Sequence, residues 1–253
     1  LHALDKVRKA VREFYEIKES EKETQECHDQ WHDFAKYNLY GIEINEQISR
    51  TAKMNMIIHD DGHTNVVSAD GLISPDDLRL KTNNDGFKEN SFDYIITNPP
   101  FGSIVKQTEK AYLHQYKMGI KDVDWLNPNS KVSERPSQST EVLFIEQAEK
   151  YLVEGGYLAI VVPDGVLTNS SMQYVRDYIS DTFRIVAIIS MPQTAFSANG
   201  AGVKSSVMFL KKFSASEKQT RIDLRNNIQN NLISNSEDGI RLFELLKKKK
   251  GEI

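Results

Sequence analysis

The residues Ser91-Phe92-Asp93-Tyr94-Ile95-Ile96-Thr97-Asn98-Pro99-Pro100-Phe101-Gly102-Ser103 decide how the rest of the chain is read. Phe92 to Thr97 is short, aromatic and β-branched, which predicts a covered parallel strand. The two prolines cannot donate to a sheet ladder, so the strand must stop at Thr97. Asn98 to Phe101 therefore belongs just past the strand's carboxyl end, the edge at which open α/β sheets bind ligands.

Pro99 and Pro100 offer carbonyl acceptors from a stiffened backbone, and Asn98 adds a side-chain carbonyl. A group with two N–H donors, such as the exocyclic amine of a base, can be gripped by the Asn98 amide oxygen and the Pro99 carbonyl together. Two acceptors also draw the amine lone pair out of conjugation with the ring, which makes it a better nucleophile. Phe101 offers an aromatic face to a base lifted from its helix. The plain alternative is a simple turn, for which Asn and Pro are common residues.

Working outward, positions 1 to about 19 carry Leu4, Val7, Val11 and Phe14 at helical spacing and predict an amphipathic helix. Glu19 to Asp33 is polar and reads as a solvated helical insertion. It holds Cys27, His28 and His32, but one cysteine with two histidines lacks the paired spacing of a zinc module, so no metal is expected. Tyr37 to Ile44 reads as a strand and Asn45 to Ile58 as a helix with Ile48, Ala52 and Met56 towards the sheet. Thr64 to Ala69 is a second strand and Phe92 to Thr97 a third. Glu43, Asp70 and Asn98 then end successive strands at spacings of 27 and 28 residues, close to the roughly 30 residues of one βαβ unit. Three polar groups are expected along one sheet edge.

Gly102 to Ser139 shows little periodicity and reads as a long loop, mildly basic and aromatic, suited to a lid or a DNA contact. Thr140 to Val153 is predicted as a helix, Tyr157 to Val162 as a central strand, and Ser170 to Asp181 as a helix. Arg184 to Met191 and Val203 to Lys212 are strands joined by Ser197 to Gly202, which suggests an antiparallel edge on an otherwise parallel sheet. Beyond Phe213 the pattern fades to one amphipathic piece, Gly239 to Leu246, and the run Lys247 to Lys250, a solvated end rather than a DNA contact.

The chain of 253 residues, 39% hydrophobic and 27% charged, suits a large α/β domain with extensions. It has no apolar run of membrane-spanning length and no export signal, and its single cysteine points to a reducing cytoplasm. A net charge of −4 means that any nucleic-acid contacts are local or supplied by another domain.

Four motifs in this order carry a family likeness: Tyr40-Gly41-Ile42-Glu43-Ile44-Asn45, Asp93 to Ser103, Val162-Pro163-Asp164-Gly165-Val166-Leu167, and Gly202-Val203-Lys204-Ser205-Ser206-Val207-Met208-Phe209-Leu210. Between Tyr37 and Lys212 the chain resembles adenine-N6 DNA methyltransferases, in particular the modification subunits of type I restriction systems. The resemblance implies an α/β, Rossmann-like class I fold: a mostly parallel sheet with an antiparallel last strand, lacking its first strand. It implies a catalytic domain over 1–212 and a partly helical or flexible extension over 213–253. The implied activity is transfer of a methyl group from S-adenosylmethionine to a flipped-out adenine in DNA. Asn98, Pro99, Pro100 and Phe101 would be catalytic. Glu43 would take the cofactor ribose, Ile44 would pack on its adenine, and Asp70 with Gly71 and Leu72 would form the adenine-amine pocket. The implied partners are DNA, a specificity subunit or separate target-recognition domain, and a restriction subunit.

The family's Gly-rich cofactor loop does not occur in the sequence, whose first glycine is Gly41 and which opens without methionine. The chain is therefore expected to be a fragment that binds S-adenosylmethionine weakly and is inactive alone. Two other readings remain open: a non-catalytic methylase-like module, which the absent loop favours, and an RNA or protein-glutamine methyltransferase, which shares Asn-Pro-Pro and an aromatic.

Overall fold

The computed structural model describes residues 2–18, 20–59, 65–106, 113–121, 133–196 and 202–247. The chain divides into two compact units, Leu1–Lys88 and Glu89–Ile253.

The first unit opens with helices α1 (His2–Phe14) and α2 (Gln25–Asn38). Leu4 of α1 is buried with Cys27, Trp31 and Ala35 of α2, and Val7 and Val11 pack against them. Glu23 locks the pair: its Oε1 accepts from Arg8 (2.7 Å) and Arg12 (2.8 Å), and its Oε2 from the Trp31 indole (3.1 Å). Burial pushes this carboxyl up, but the three donors outweigh it and bring its pKa down to about 2. The supposed insertion is thus a packed helix. It runs on through Tyr37 and Asn38, with the Leu39 N–H still bonded to the Ala35 carbonyl, so the expected first strand shrinks to β1 (Gly41–Glu43). Helix α3 (Glu46–Ile58) is capped by Asn45, whose side chain accepts from Gln47 and Ile48. Its buried position is Ser49; Ile48, expected to face the sheet, is 56% exposed. Strand β2 (Val66–Ser68) pairs parallel to β1, with Gly41 opposite Val66 and Glu43 opposite Ser68. The start of that strand expected at Thr64 lies outside the described residues. Helix α4 (Pro75–Thr82) has Ser74 as its cap and Pro75 in its first turn.

The second unit begins with β3 (Phe92–Thr97), whose bounds match the expectation. The long segment expected as a loop is more ordered where it is described. Strand β4 (Ile104–Lys106) and the later β7 (Ser137–Ser139) form an antiparallel pair, as do β5 (Ile120–Lys121) and β6 (Ser133–Glu134). Between them, the turns Leu113–Gln115 and Lys117–Gly119 dock on α5 (Thr140–Tyr151). The Glu146 carboxylate accepts from the Lys117 and Met118 amides at 2.8 and 3.0 Å, and the Tyr116 hydroxyl donates to Gln147 at 2.7 Å. Residues 107–112 and 122–132, with Trp125, lie outside the described residues.

Strand β8 (Leu152–Pro163) starts where α5 ends, five residues earlier than expected, because Gly155 and Gly156 form a bulge. Phe92 pairs with Leu152 and Tyr94 with Tyr157 across that bulge, and a Cβ on Gly156 would press on the Asp93 carbonyl at 3.1 Å. Helices α6 (Asp164–Thr168) and α7 (Gln173–Thr182) lead to β9 (Phe183–Ser190) and β10 (Ser205–Lys212). The sheet order is β3-β8-β10-β9, with β3 and β8 parallel and β10 antiparallel to both of its neighbours. The antiparallel strand is therefore one place in from the edge, and β9 takes the edge, because β10 inserts beside β8. Ser197 to 201 of the connecting loop lie outside the described residues.

Val142 and Ile145 of α5, Leu158 and Ile160 of β8, Val175 of α7 and Met208 of β10 form the core on one sheet face. Among the described residues of the second unit β3 pairs with β8, and Ile95 packs on the core while Tyr94 and Ile96 are 73% and 82% exposed. The ammonium of Lys212 donates to Asn90 Oδ1, Glu149 O and Leu152 O, tying the approach to β3 to the end of α5. Residues past Phe213 form α8 (Ala215–Asn235), begun by a Ser214–Glu217 capping box, and α9 (Glu237–Lys247). The first of these was missed because its apolar residues do not follow a helical stripe; Lys248 to Lys250 lie outside the described residues. Among the described residues no helix is long and apolar enough to cross a membrane.

Candidate functional site

In the second unit, Asn98 to Phe101 leave the carboxyl end of β3, opposite the residues that follow Ile160 in β8. Asn98 is exposed, Pro99 buried and Phe101 half-buried. Gly102 follows at φ +72°, and this left-handed residue lets the chain turn from Phe101 into β4. The turn is held from α5. The Thr140 hydroxyl donates to the Pro100 carbonyl at 2.8 Å, with a second, longer approach to the Ser103 carbonyl at 3.3 Å. The Thr140 backbone N–H donates to that same Ser103 carbonyl at 3.0 Å. Phe196 meets Phe101 edge to face, with ring centroids 5.7 Å apart. Among the described residues no hydrogen bond engages the Asn98 side chain or the Pro99 carbonyl.

At the same end of that sheet, the Asp164 Oδ1 accepts from Ser206 at 2.7 Å and the Asp164 N–H donates to the Lys204 carbonyl. Neither Thr140 nor Phe196 stood out in the sequence. Thr140 opens a helix 40 residues after Pro100, where Thr is an ordinary starting residue, and Phe196 sits in a loop without periodicity.

In the first unit, Glu43 ends β1 and Asp70 lies just past β2, so the parallel pair brings them to one end. The Glu43 Oε1 accepts from the Asn45 amide at 2.7 Å, and among the described residues nothing bonds its second oxygen. Ile44 beside it is 66% exposed, a flat apolar surface available to a ring. The Asp70 Oδ1 accepts from the Leu72 amide at 3.0 Å, which closes the Asp70-Gly71-Leu72 turn. The Leu72 side chain is 3% exposed and belongs to the core, so it shapes the turn from beneath. Of the three polar groups expected along one edge, Glu43 and Asp70 share one end of the β1–β2 pair. Asn98 ends β3 of the second unit.

Cys27 is buried, and His28 and His32 stack with centroids 5.5 Å apart. Among the described residues no cluster of three His, Cys, Asp or Glu is placed to hold a metal ion.

Comparison with known proteins gives three kinds of match. The family model described as N-6 DNA methylase matches residues 19–239. Among curated relatives, the methylase subunit of the type I restriction enzyme MpnII from Mycoplasma pneumoniae is 30% identical over 178 residues, covering 69% of this chain and 30% of that protein. The EcoKI methylase subunit from Escherichia coli is 26% identical over 175 residues, covering 68% and 28%. The chain thus spans about a third of the length of these relatives. Among solved structures, one described as showing complex assembly and conformational transition of the type I R-M system superposes with a TM-score of 0.54 at 20% identity, over 81% of this chain and 35% of that one. A modification subunit of a putative type I restriction enzyme from Vibrio vulnificus gives 0.52 at 19%, over 77% and 36%.

Proposed function

The chain belongs to the N-6 DNA methylase family and has the class I methyltransferase fold, and from that premise we propose that its protein methylates adenine N6 in DNA as the modification component of a restriction system. The observation that carries the reading is the uncommitted pair of acceptors, the Asn98 amide and the Pro99 carbonyl, at the carboxyl end of β3 with the Phe101 ring beside them.

The two acceptors take the two N–H bonds of the adenine amine and pull its lone pair towards the tetrahedral form. Phe101 stacks on the flipped base, and Phe196 fixes the orientation of that ring. No carboxylate base is needed before attack, because the nitrogen becomes acidic once it carries a fourth bond and then releases its proton. S-adenosylmethionine supplies the methyl group as an electrophile on a sulfonium. In the first unit the residues fit the adenosine part of that cofactor: the free Glu43 oxygen suits the ribose hydroxyls, the exposed Ile44 suits the adenine face, and the Asp70 turn with Gly71 and Leu72 suits the adenine amine. DNA recognition belongs to a specificity subunit or separate target-recognition domain, in keeping with the net charge of −4.

The test is Asn98→Ala, measured by methyl incorporation and by DNA binding. Methylation should fall by about 10²- to 10³-fold, the scale of losing a donor or acceptor that acts on the transition state, with DNA affinity kept. Turnover at the parent rate would exclude Asn98 as the amine's acceptor.

A further inference from the structure

Three carbonyl oxygens of the Asn98-Pro99-Pro100 turn bear on the site, Asn98 Oδ1, Pro99 O and Pro100 O, and only two can serve one amine. The structure commits the third. The Pro100 carbonyl accepts from the Thr140 hydroxyl at 2.8 Å, and the Ser103 carbonyl past the turn accepts from the Thr140 N–H at 3.0 Å. One residue therefore clamps the turn at both ends, from the first turn of α5. That helix is a firm base: Val142, Leu143 and Ile145 are fully buried just beyond Thr140, which is itself 8% exposed. On the other side, β4 and β7 extend the clamp, with Ile104 paired to Ser139.

We propose that Thr140 is a positioning residue for the proposed methyl transfer: by holding the Pro100 carbonyl it fixes which acceptors, Asn98 Oδ1 and Pro99 O, face the substrate amine. The inference rests on the reading of Asn98 to Phe101 as the amine site. Proline fixes φ, and Pro100 confines Pro99 to extended ψ without setting its value, so the finer direction of the Pro99 carbonyl depends on what restrains the next peptide. Pro100 is an exposed residue, so without the Thr140 hydroxyl water can take the place of the lost donor. The turn then survives, with its aim loosened. The loss should fall on the chemical step, because small misalignments at the reacting atoms cost rate more than binding.

The experiment uses the protein purified from its native host with its associated subunits, and compares Thr140→Val, Thr140→Ser and Asn98→Ala in steady-state DNA methylation. Thr140→Val keeps the shape and removes the donor; kcat should fall about tenfold with KM for DNA and for S-adenosylmethionine within about twofold. Thr140→Ser restores the donor and should restore kcat to within about twofold of the parent. Should the valine protein fail to fold, Thr140→Ala, which cannot crowd the turn, takes its place. A parent-like kcat in the valine or alanine variant overturns the proposal, as does a serine variant as slow as valine or a loss confined to KM. Asn98→Ala separates the two ideas. If it turns over normally, the amine site itself is misassigned; if it is dead while Thr140→Val is normal, only the positioning role fails.

Discussion

In the first unit the Glu43 and Asp70 carboxylates are braced by amides only two residues ahead, whereas in the second the Asn98 to Phe101 turn is braced from Thr140, 40 residues from the carbonyl it holds. The strands differ in the same way. Strands β1 and β2 have three residues each and form their own two-stranded sheet, while β3 lies against the 12-residue β8 and that strand against β10. Local bracing keeps a side chain oriented without involving the core. Tertiary bracing ties the site to the fold, so that damage to the core reaches the site.

The largest expected effect follows from that coupling. Ile160 is fully buried and pairs with Thr97, the residue before Asn98. Ile160→Ala should cost about 2–5 kcal/mol, the range for removing a buried aliphatic side chain, and methylation should fall with it. Denaturant unfolding followed together with activity reads both. A core variant that loses several kcal/mol yet keeps full turnover at low temperature would break the proposed coupling.

The next effect should be the reverse, a binding loss without a stability loss. Glu43→Gln keeps an acceptor for the Asn45 amide but removes the charge. Cofactor affinity should drop by about 1.5–3 kcal/mol, the scale of a hydrogen bond to a charged group, while unfolding shifts by less than about 0.5 kcal/mol, as for a surface change. Calorimetric titration of the native assembly with S-adenosylmethionine, set beside its melting temperature, checks both halves. An equal shift in binding and melting would show that the first unit is coupled like the second.

The same contrast explains what the sequence made legible. Strand β3 was readable to the residue because a β-branched run ends at two prolines, and both features are local. Glu43 and Asp70 were readable as partners because a regular strand spacing is also local. Helix α2 was misjudged because its polar surface hides three buried positions, Cys27, Trp31 and Ala35, and helix propensity carried it through Tyr37 where a strand was expected. The Thr140 clamp and the Phe101–Phe196 contact each join residues with no common periodicity. Neither leaves a pattern in one sequence.

The smallest effect is a difference in how the two units answer acid. Glu23 joins α1 to α2, and its pKa, about 2 against an ordinary 4.5, means that it contributes stability above pH 4.5 that is lost as pH falls towards 2. Glu146, which joins α5 to the 117–118 amides, is pushed upward by burial more than those amides pull it down. Its contribution has the opposite sign: it is fully present below pH 4.5 and is lost as pH rises through its raised pKa. Between pH 4.5 and 2 the first unit therefore loosens while the Glu146 anchor does not. Each step is at most about 1.4 kcal/mol per pH unit, since one proton is involved. Trp31 donates to Glu23 and so reports the event directly. In a Trp125→Phe background its fluorescence should change over that range, and Glu23→Gln should abolish the change. A Trp31 signal that stays flat down to pH 2 would mean that Glu23 does not hold α1 and α2 together, and the contrast between the two carboxylates would be lost.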